Sequence, residues 1–256
     1  HYYISNHRTI EKLDFTPDKF FEEYNVKWMK GLEVVAVDDK GQTVKLSNGE
    51  TVNYDKLLIA SGASAFIPPV EGLRDANNVV GLRNLEDAIL IKEQVKKIKN
   101  VVVLGAGLVG IDAISGILDY DVNVAWVEMA NKVLPLQLDK YTSQVYEKEF
   151  EKRGVSLKLG VAAQKLIMDE NKNPKALVLN TGEEIPCELV IVATGVRSNV
   201  AFLKDSGVEC DRFGLIIDAQ GRTNARNVFG AGDVTGRNPI WPTAVKEGII
   251  AASNMV

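Results

Sequence analysis

The stretch Val101-Val-Val-Leu-Gly105-Ala-Gly107-Leu-Val-Gly110 narrows the fold of this chain more than any other. Its four leading residues form a short apolar run, the pattern of a strand buried on both faces of a parallel sheet. A Gly-x-Gly-x-x-Gly turn follows, then a segment that reads as a helix. Val122-Asn-Val-Ala-Trp-Val reads as a second buried strand and runs into an acid, Glu128. Parallel neighbours need a crossover connection, so the whole is expected to be one β-α-β unit. Each glycine has a task in such a unit. Gly105 permits the tight turn out of the strand. Gly107 has no Cβ, so a pyrophosphate can approach the backbone. Gly110 lets the helix pack close to the sheet.

The helix beginning near Gly107 aims unpaired N–H groups and a partial positive charge at the phosphates. Glu128 can accept hydrogen bonds from the adenosine ribose hydroxyls, and its charge repels a 2′-phosphate. No arginine follows at once in Met129-Ala-Asn-Lys132, so NAD(H) is expected rather than NADP(H), with Lys132 the one nearby cation. The candidate nucleotide residues are therefore Gly105, Ala106, Gly107, Leu108, Val109, Gly110, Glu128 and Met129. The bland alternative is a glycine-rich turn in an ordinary α/β domain. The strand before, the helix after and the acid at the second strand's end weigh against it.

A chain of 256 residues has room for two domains of the usual ~100–200 residues. With 30 basic and 34 acidic residues its formal net charge is −4, no electrostatic footprint for nucleic acid. No apolar run approaches a membrane span. Cys187 and Cys210 form no Cys-x-x-Cys pair, and so few cysteines point to a reducing cytoplasm. Structural or incidental thiols are the favoured reading of both, since a reactive thiol needs an electropositive setting. His1 and His7 are the only histidines, which leaves almost no material for a histidine metal site or a Ser-His-Asp triad; no metal site is expected.

Residues 1–30 read as a connection plus a helix, with Pro17 near its start and Phe20, Phe21 and Tyr24 as apolar contacts. Leu32–Asp38 and Gln42–Leu46 read as strands around the turn Asp38-Asp-Lys-Gly41, and Asn48-Gly49 adds a tight turn, so a small antiparallel meander is expected. Leu57–Ala60 is a buried strand ended by Ser61-Gly62, and Pro68-Pro69 suggests a crossing linker. A helical pattern covers 84–99. Beyond the β-α-β unit, Asp139 reads as the N-cap of a helix to about Arg153 that Gly154 closes, and Val155–Leu159 as a third parallel strand. Residues 161–186 read as a second meander. Leu189–Ala193 is a buried strand ended by Thr194-Gly195. Gly214–Asp218 and Asn227–Asp233 read as strands, the latter running into a glycine turn, and Pro242 sits near the start of a final helix. The strands ending in Ala60-Ser61-Gly62 and Ala193-Thr194-Gly195 each follow a meander, which suggests two related dinucleotide-binding domains.

With these residues in view, the chain resembles the two-dinucleotide-binding-domain flavoprotein reductases of the pyridine nucleotide-disulfide oxidoreductase superfamily. The resemblance rests on Ala60–Gly62, Gly105–Gly110 with Glu128, Ala193–Gly195 continuing into Val-Arg197-Ser-Asn199, and Arg222-Thr-Asn-Ala-Arg-Asn-Val-Phe-Gly-Ala-Gly232-Asp233. Trp241-Pro-Thr-Ala-Val-Lys-Glu-Gly248 is similar to the flavin-facing helix of rubredoxin reductases, NADH oxidases and nitrite reductase flavin subunits. The fold expected is α/β: two Rossmann-like domains, each three-layered with a parallel sheet plus a β-meander, the first one incomplete. Residues 1–80 and 209–256 are expected to form a partial, discontinuous FAD-binding domain, and 81–208 the NAD-binding domain.

The resemblance implies FAD as second cofactor. It implies that Asp233, after Gly232, hydrogen-bonds flavin ribityl or pyrophosphate-side hydroxyls, that Trp241, Pro242, Thr243 and Ala244 lie near the isoalloxazine ring, and that Val34 contacts the adenine through its backbone. Ala60, Ser61, Gly62, Ala193, Thr194 and Gly195 are carried over as cofactor-binding positions. Read without the resemblance, Asp233 is as well explained by an Asx turn, and Trp241 by core packing. Two departures stand out. The FAD Gly-x-Gly-x-x-Gly and ribose-binding acid near the family's N-terminus have no counterpart before residue 57. The chain is accordingly expected to be a fragment, without that fingerprint and the C-terminal interface domain, and its retention of FAD is open. Asp112 stands where the family usually has glutamate, one methylene longer, beside the nicotinamide.

The activity expected is that of an NADH-dependent FAD oxidoreductase, which passes hydride from NADH to flavin and electrons to an acceptor. Hydride transfer requires no general base, so no catalytic side chain is assigned. A small redox protein such as rubredoxin or ferredoxin is the expected acceptor, since no cysteine pair is visible. NADH oxidase, peroxidase or CoA-disulfide reductase activity is the alternative within the family. A non-catalytic NAD-binding module is the alternative of another class. Assembly is open, a homodimer among the options.

Overall fold

The computed structural model describes residues 1–14 and 16–256. In chain order its helices are α1 (Phe20–Glu23), α2 (Leu85–Gln94), α3 (Leu108–Ile117), α4 (Lys140–Lys152) and α5 (Trp241–Met255). Its strands are β1 (Val34–Asp38), β2 (Thr43–Leu46), β3 (Thr51–Asn53), β4 (Leu57–Ile59), β5 (Ala63–Ala65), β6 (Val79–Gly81), β7 (Asn100–Leu104), β8 (Asn123–Glu128), β9 (Ser156–Leu159), β10 (Ala163–Met168), β11 (Pro174–Leu179), β12 (Glu184–Pro186), β13 (Leu189–Val192), β14 (Val196–Ser198) and β15 (Val228–Gly230).

The described chain divides into two compact units, residues 1–14 with Ala65–Gly195, and Thr16–Ser64 with Val196–Val256. The division differs from the sequence-based boundaries at 80/81 and 208/209 for physical reasons. Residues 65–80 join the first unit because β6 pairs in parallel with β13. The N-terminal residues join it because Ile4 is fully buried beside Gly116 of α3, and its carbonyl accepts a hydrogen bond from Tyr120 Oη at 2.6 Å. Residues 196–208 join the second unit because Leu203 and Val208 are buried in one cluster with Val37.

The first unit is built on a parallel sheet of order β6-β13-β7-β8-β9. Its strands are buried on both sides, and their side chains alternate between two cores. Val101, Val103 and Trp126 face the helices, while Val102, Leu104 and Val127 face the antiparallel meander β10-β11-β12. The three layers expected from the sequence are therefore present in this unit. Asn84 and Asp87 form a capping box at the start of α2. The Asp139 carboxylate accepts the Thr142 N–H at 2.8 Å at the start of α4, and Gly154, with φ of +85°, closes that helix as the sequence predicts.

The second unit carries the antiparallel meander β1-β2-β3 and a parallel pair, β4 with β15. β5 pairs with β14. Three sequence expectations are corrected. The helix expected over 84–99 ends at Gln94, because Lys97 turns back onto the Gln94 carbonyl and the Lys99 and Asn100 amides are held by the Glu188 carboxylate. Gly214–Asp218 is no strand: Leu215 donates to Val234 while Ile216 donates to Glu209, so no continuous ladder forms. The helix expected within residues 1–30 is the single turn α1. No helix among the described residues is long and apolar enough to cross a membrane.

Candidate functional site

In the first unit the sequence-predicted residues converge at the carboxyl ends of adjacent strands. β7 runs on through α3 to β8 on one side and pairs with β13 on the other, so chain progression reverses between β13 and β7. The crevice at such a reversal is where open α/β sheets bind ligands. Gly105 follows β7, Glu128 ends β8, and Ala193-Thr194-Gly195 follows β13. The Ala193 N–H donates to the Leu104 carbonyl at 2.7 Å, the Gly105 N–H to Val127 at 2.8 Å, and Thr194 Oγ1 to the Phe66 carbonyl at 2.8 Å.

Two of the three glycines of the turn answer to constraints within the protein. Gly105 has φ of +101°, and a Cβ there would lie 2.4 Å from the Ala193 carbonyl oxygen. A Cβ on Gly110 would lie 2.1 Å from the Gly105 carbonyl oxygen, the acceptor of Trp126 Nε1–H at 2.9 Å. Gly107 has φ of −84° and, among the described residues, nothing within 4 Å of its Cβ position. Neither strain nor a protein neighbour requires glycine at 107. The open space lies at the N-cap of α3, where no side chain caps the helix and the first N–H groups lack intrahelical partners.

Glu128 is anchored before any ligand arrives. One carboxylate oxygen accepts the Ala106 N–H and the other the Ala130 N–H, each at 2.7 Å. The carboxylate thus ties the glycine turn to the loop after β8. That loop is tied a second time, by the Leu134 N–H to the Ala106 carbonyl at 2.7 Å, with Leu134 at φ of +47°. The Lys132 ammonium donates to the Leu138 carbonyl. Met129, Leu108 and Val109 are exposed, apolar side chains bordering the turn. Asp112 lies on α3 with His1 Nδ1 2.8 Å away; partial burial raises the pKa of its carboxyl. Sequence reasoning did not single out Ala130 and Leu134, and only their distance from the Gly-x-Gly-x-x-Gly in the fold, not in the chain, reveals them.

In the second unit Ala60-Ser61-Gly62 and Ala231-Gly232-Asp233 leave the carboxyl ends of β4 and β15. These strands pair Ile59 with Gly230, and the Ala231 N–H donates to Ile59 at 3.1 Å. The Gly232 N–H donates to the Glu247 carboxylate of α5 at 2.7 Å. Asp233 stands in a 3-10 turn whose carbonyl accepts the Gly236 N–H, and the turn packs against α5 through Ala244, 3.4 Å from the Cβ position of Gly232. Trp241 is 72% exposed at the start of α5, with Pro242 behind it, so core packing does not explain this tryptophan. Thr243 accepts from Asn238 at 2.8 Å. Val34 begins β1 opposite Leu46, beside a bulge. Glu247, Ser198 and Asn199 carry much of the bonding here, a role with no local signature in the sequence.

Both thiols are held in the protonated form, Cys187 buried and Cys210 exposed. Burial, with Glu188 adjacent, pushes the Cys187 thiol up to about 12, and burial next to Asp211 raises that of Cys210.

Comparison with known proteins agrees with this architecture. Residues 4–248 match the pyridine nucleotide-disulphide oxidoreductase family. An NADH oxidase of Methanocaldococcus jannaschii is 31% identical over 256 residues, spanning 94% of this chain and 56% of its own. The epsilon subunit of the NADH-dependent phenylglyoxylate dehydrogenase of Aromatoleum evansii is 31% identical and is matched over 99% of this chain and 62% of its own. The crystal structure of the ferredoxin reductase for the CYP199A2 system of Rhodopseudomonas palustris superposes with a TM-score of 0.85 at 26% identity, covering 91% of this chain and 56% of that one. The chain thus spans a little over half the length of these three relatives. Its sequence match from residue 4 to 248 and its shared architecture make it a member of the pyridine nucleotide-disulphide oxidoreductase family.

Proposed function

We propose that this chain is the nucleotide-handling part of an NADH-dependent flavin oxidoreductase, with NAD(H) bound by the first unit and FAD held by residues of the second. The observation that carries the reading is the open N-cap at Gly107, framed by Gly105, Glu128 and Thr194 at adjacent strand ends. The α3 N–H groups would receive the pyrophosphate, and Glu128, already fixed by two backbone amides, would turn its remaining lone pairs to the ribose hydroxyls. Its negative charge disfavours a 2′-phosphate, and Lys132 is engaged with Leu138, which supports NADH over NADPH.

On the flavin side, Ala60–Gly62, Gly232, Asp233 and Trp241–Ala244 fit a bound group because the two turns leave the same end of a parallel strand pair and Trp241 presents an uncovered ring. Val34 is the backbone contact proposed for the adenine. FAD, when bound, supplies the two-electron acceptance of hydride from NADH and the onward transfer of electrons. The chain's own residues bind and orient; none has to move a proton, so the absence of histidine from these positions is no obstacle. A small redox protein, rubredoxin or ferredoxin, is the proposed acceptor, and similarity to a ferredoxin reductase supports it. Direct oxidase activity is the second reading, supported by the relative named NADH oxidase. Fluorescence titration of the purified protein with NADH and NADPH tests the nucleotide half: tighter NADH binding is expected, and equal affinity overturns the specificity.

A further inference from the structure

One residue of the second unit spends all of its polar groups on a single short segment. The Asn199 N–H donates to the Gly62 carbonyl at 3.0 Å, and its carbonyl accepts the Ser61 hydroxyl at 2.8 Å. Its side-chain Nδ2 donates to the Ser61 carbonyl at 2.9 Å, and its Oδ1 accepts the Ser64 hydroxyl at 2.8 Å. The segment so held, residues 61–64, includes Gly62 at φ of +67° and follows β4 directly. The preceding residue acts on the other turn: Ser198 Oγ lies 2.8 Å from the Phe213 carbonyl and 2.9 Å from the Asp233 carbonyl, and its single proton serves one at a time.

Residues 198 and 199 thus brace both turns that leave the β4–β15 pair. An amide suits position 199, since it must donate to one carbonyl and accept from one hydroxyl at once. An aspartate keeps the acceptor but sets a charged oxygen against the Ser61 carbonyl. Alanine loses both side-chain bonds and leaves the Ser61 carbonyl and Ser64 hydroxyl to find other partners.

We infer that Asn199 is a positioning residue: it holds the 61–64 turn in the shape that the flavin requires, an inference that rests on the flavin reading above. It touches no reacting atom and acts through Ser61, Gly62 and Ser64.

The test compares the full chain with its Asn199→Ala, Asn199→Asp and Ser64→Ala variants. FAD affinity and visible spectrum are measured alongside NADH affinity, thermal unfolding and amide exchange of residues 61–64. Asn199→Ala is expected to weaken FAD about tenfold, the net effect of losing two side-chain hydrogen bonds that act through the turn, and to speed exchange at 61–64, with NADH affinity unchanged. Asn199→Asp should recover FAD binding as pH falls through the carboxylate range, because the protonated acid can again donate to Ser61, whereas the wild type should show no such trend. A folded Asn199→Ala protein with wild-type FAD affinity and spectrum overturns the inference. If that variant does not fold, Ser64→Ala, which removes one bond, decides by the same criteria. A wild type that takes up no FAD refutes the flavin reading instead; exchange at 61–64 then decides the clamp alone, and rates unchanged by Asn199→Ala refute it.

Discussion

Replacing Gly105 and Gly107, one at a time, by alanine separates folding from ligand binding. At Gly105 an added Cβ meets the Ala193 carbonyl oxygen at 2.4 Å, and the backbone sits at φ of +101°. Strain of about 1–2 kcal/mol and overpacking of about 1–3 kcal/mol predict a loss of roughly 2–5 kcal/mol in stability. Gly107 offers the opposite case, with φ of −84° and no atom of the described residues within 4 Å of the added methyl. Its stability loss should be about 1 kcal/mol or less, the difference between glycine and alanine at an N-cap. That methyl would nevertheless stand where the proposed pyrophosphate site meets the α3 N–H groups. Losing a charge-assisted contact and part of the helix-end attraction costs about 1.4–2.8 kcal/mol, or roughly 10–100-fold in NADH affinity. Thermal unfolding and NADH fluorescence titration on both variants measure the two quantities. A Gly107→Ala protein that binds NADH like the wild type, or one destabilised as much as Gly105→Ala, refutes the reasoning.

Further outcomes follow from the same geometry. Glu128→Gln can keep only one of the two amide anchors, so NADH affinity should fall several-fold and the loop 129–138 should exchange its amides faster, with FAD content unchanged. Asp233→Ala should reverse that pattern, lowering FAD retention while NADH titrates as in the wild type; one property lost in both variants contradicts the division of roles. At Cys187 the folded chain holds the thiol proton more tightly than the unfolded chain, since burial raises it from 9.0 to about 12. The resulting stabilisation is present below about pH 9 and is lost as pH rises from there toward 12, and denaturant titrations of a Cys187→Ala variant should show a shallower decline. A thiol reagent at pH 8 should label exposed Cys210 in the native protein and Cys187 only on unfolding.

The parts of the fold legible in the sequence are those with local causes. The β7-α3-β8 unit could be read almost to the residue because its causes are local: Gly105 turns at φ of +101°, and Gly110 packs on the Gly105 carbonyl five positions back. The Asp139 cap and the Gly154 stop are local in the same way. What escaped depends on distant partners. That the first residues join the glycine-rich unit follows from Ile4 sinking beside Gly116 and Tyr120, more than a hundred positions away. The expected strand at Gly214–Asp218 has the right residues, but Val234 and Glu209 take successive amides and break the ladder. Trp241 shows the limit from the other side: its sequence context allows core packing, and only its exposure removes that reading. Asn199 and Glu247 lie within motifs visible in the sequence, yet their bonding to Ser61, Ser64 and Gly232 exists only once the chain is folded.

NADH is proposed to reduce a flavin held by this chain. The most direct test is the visible absorption spectrum of the purified protein supplied with FAD, recorded before and after NADH is added without oxygen. A yellow protein that retains flavin through gel filtration and bleaches with NADH is the predicted result. A protein that stays colourless after FAD, or a flavin band that NADH leaves unchanged, contradicts the account.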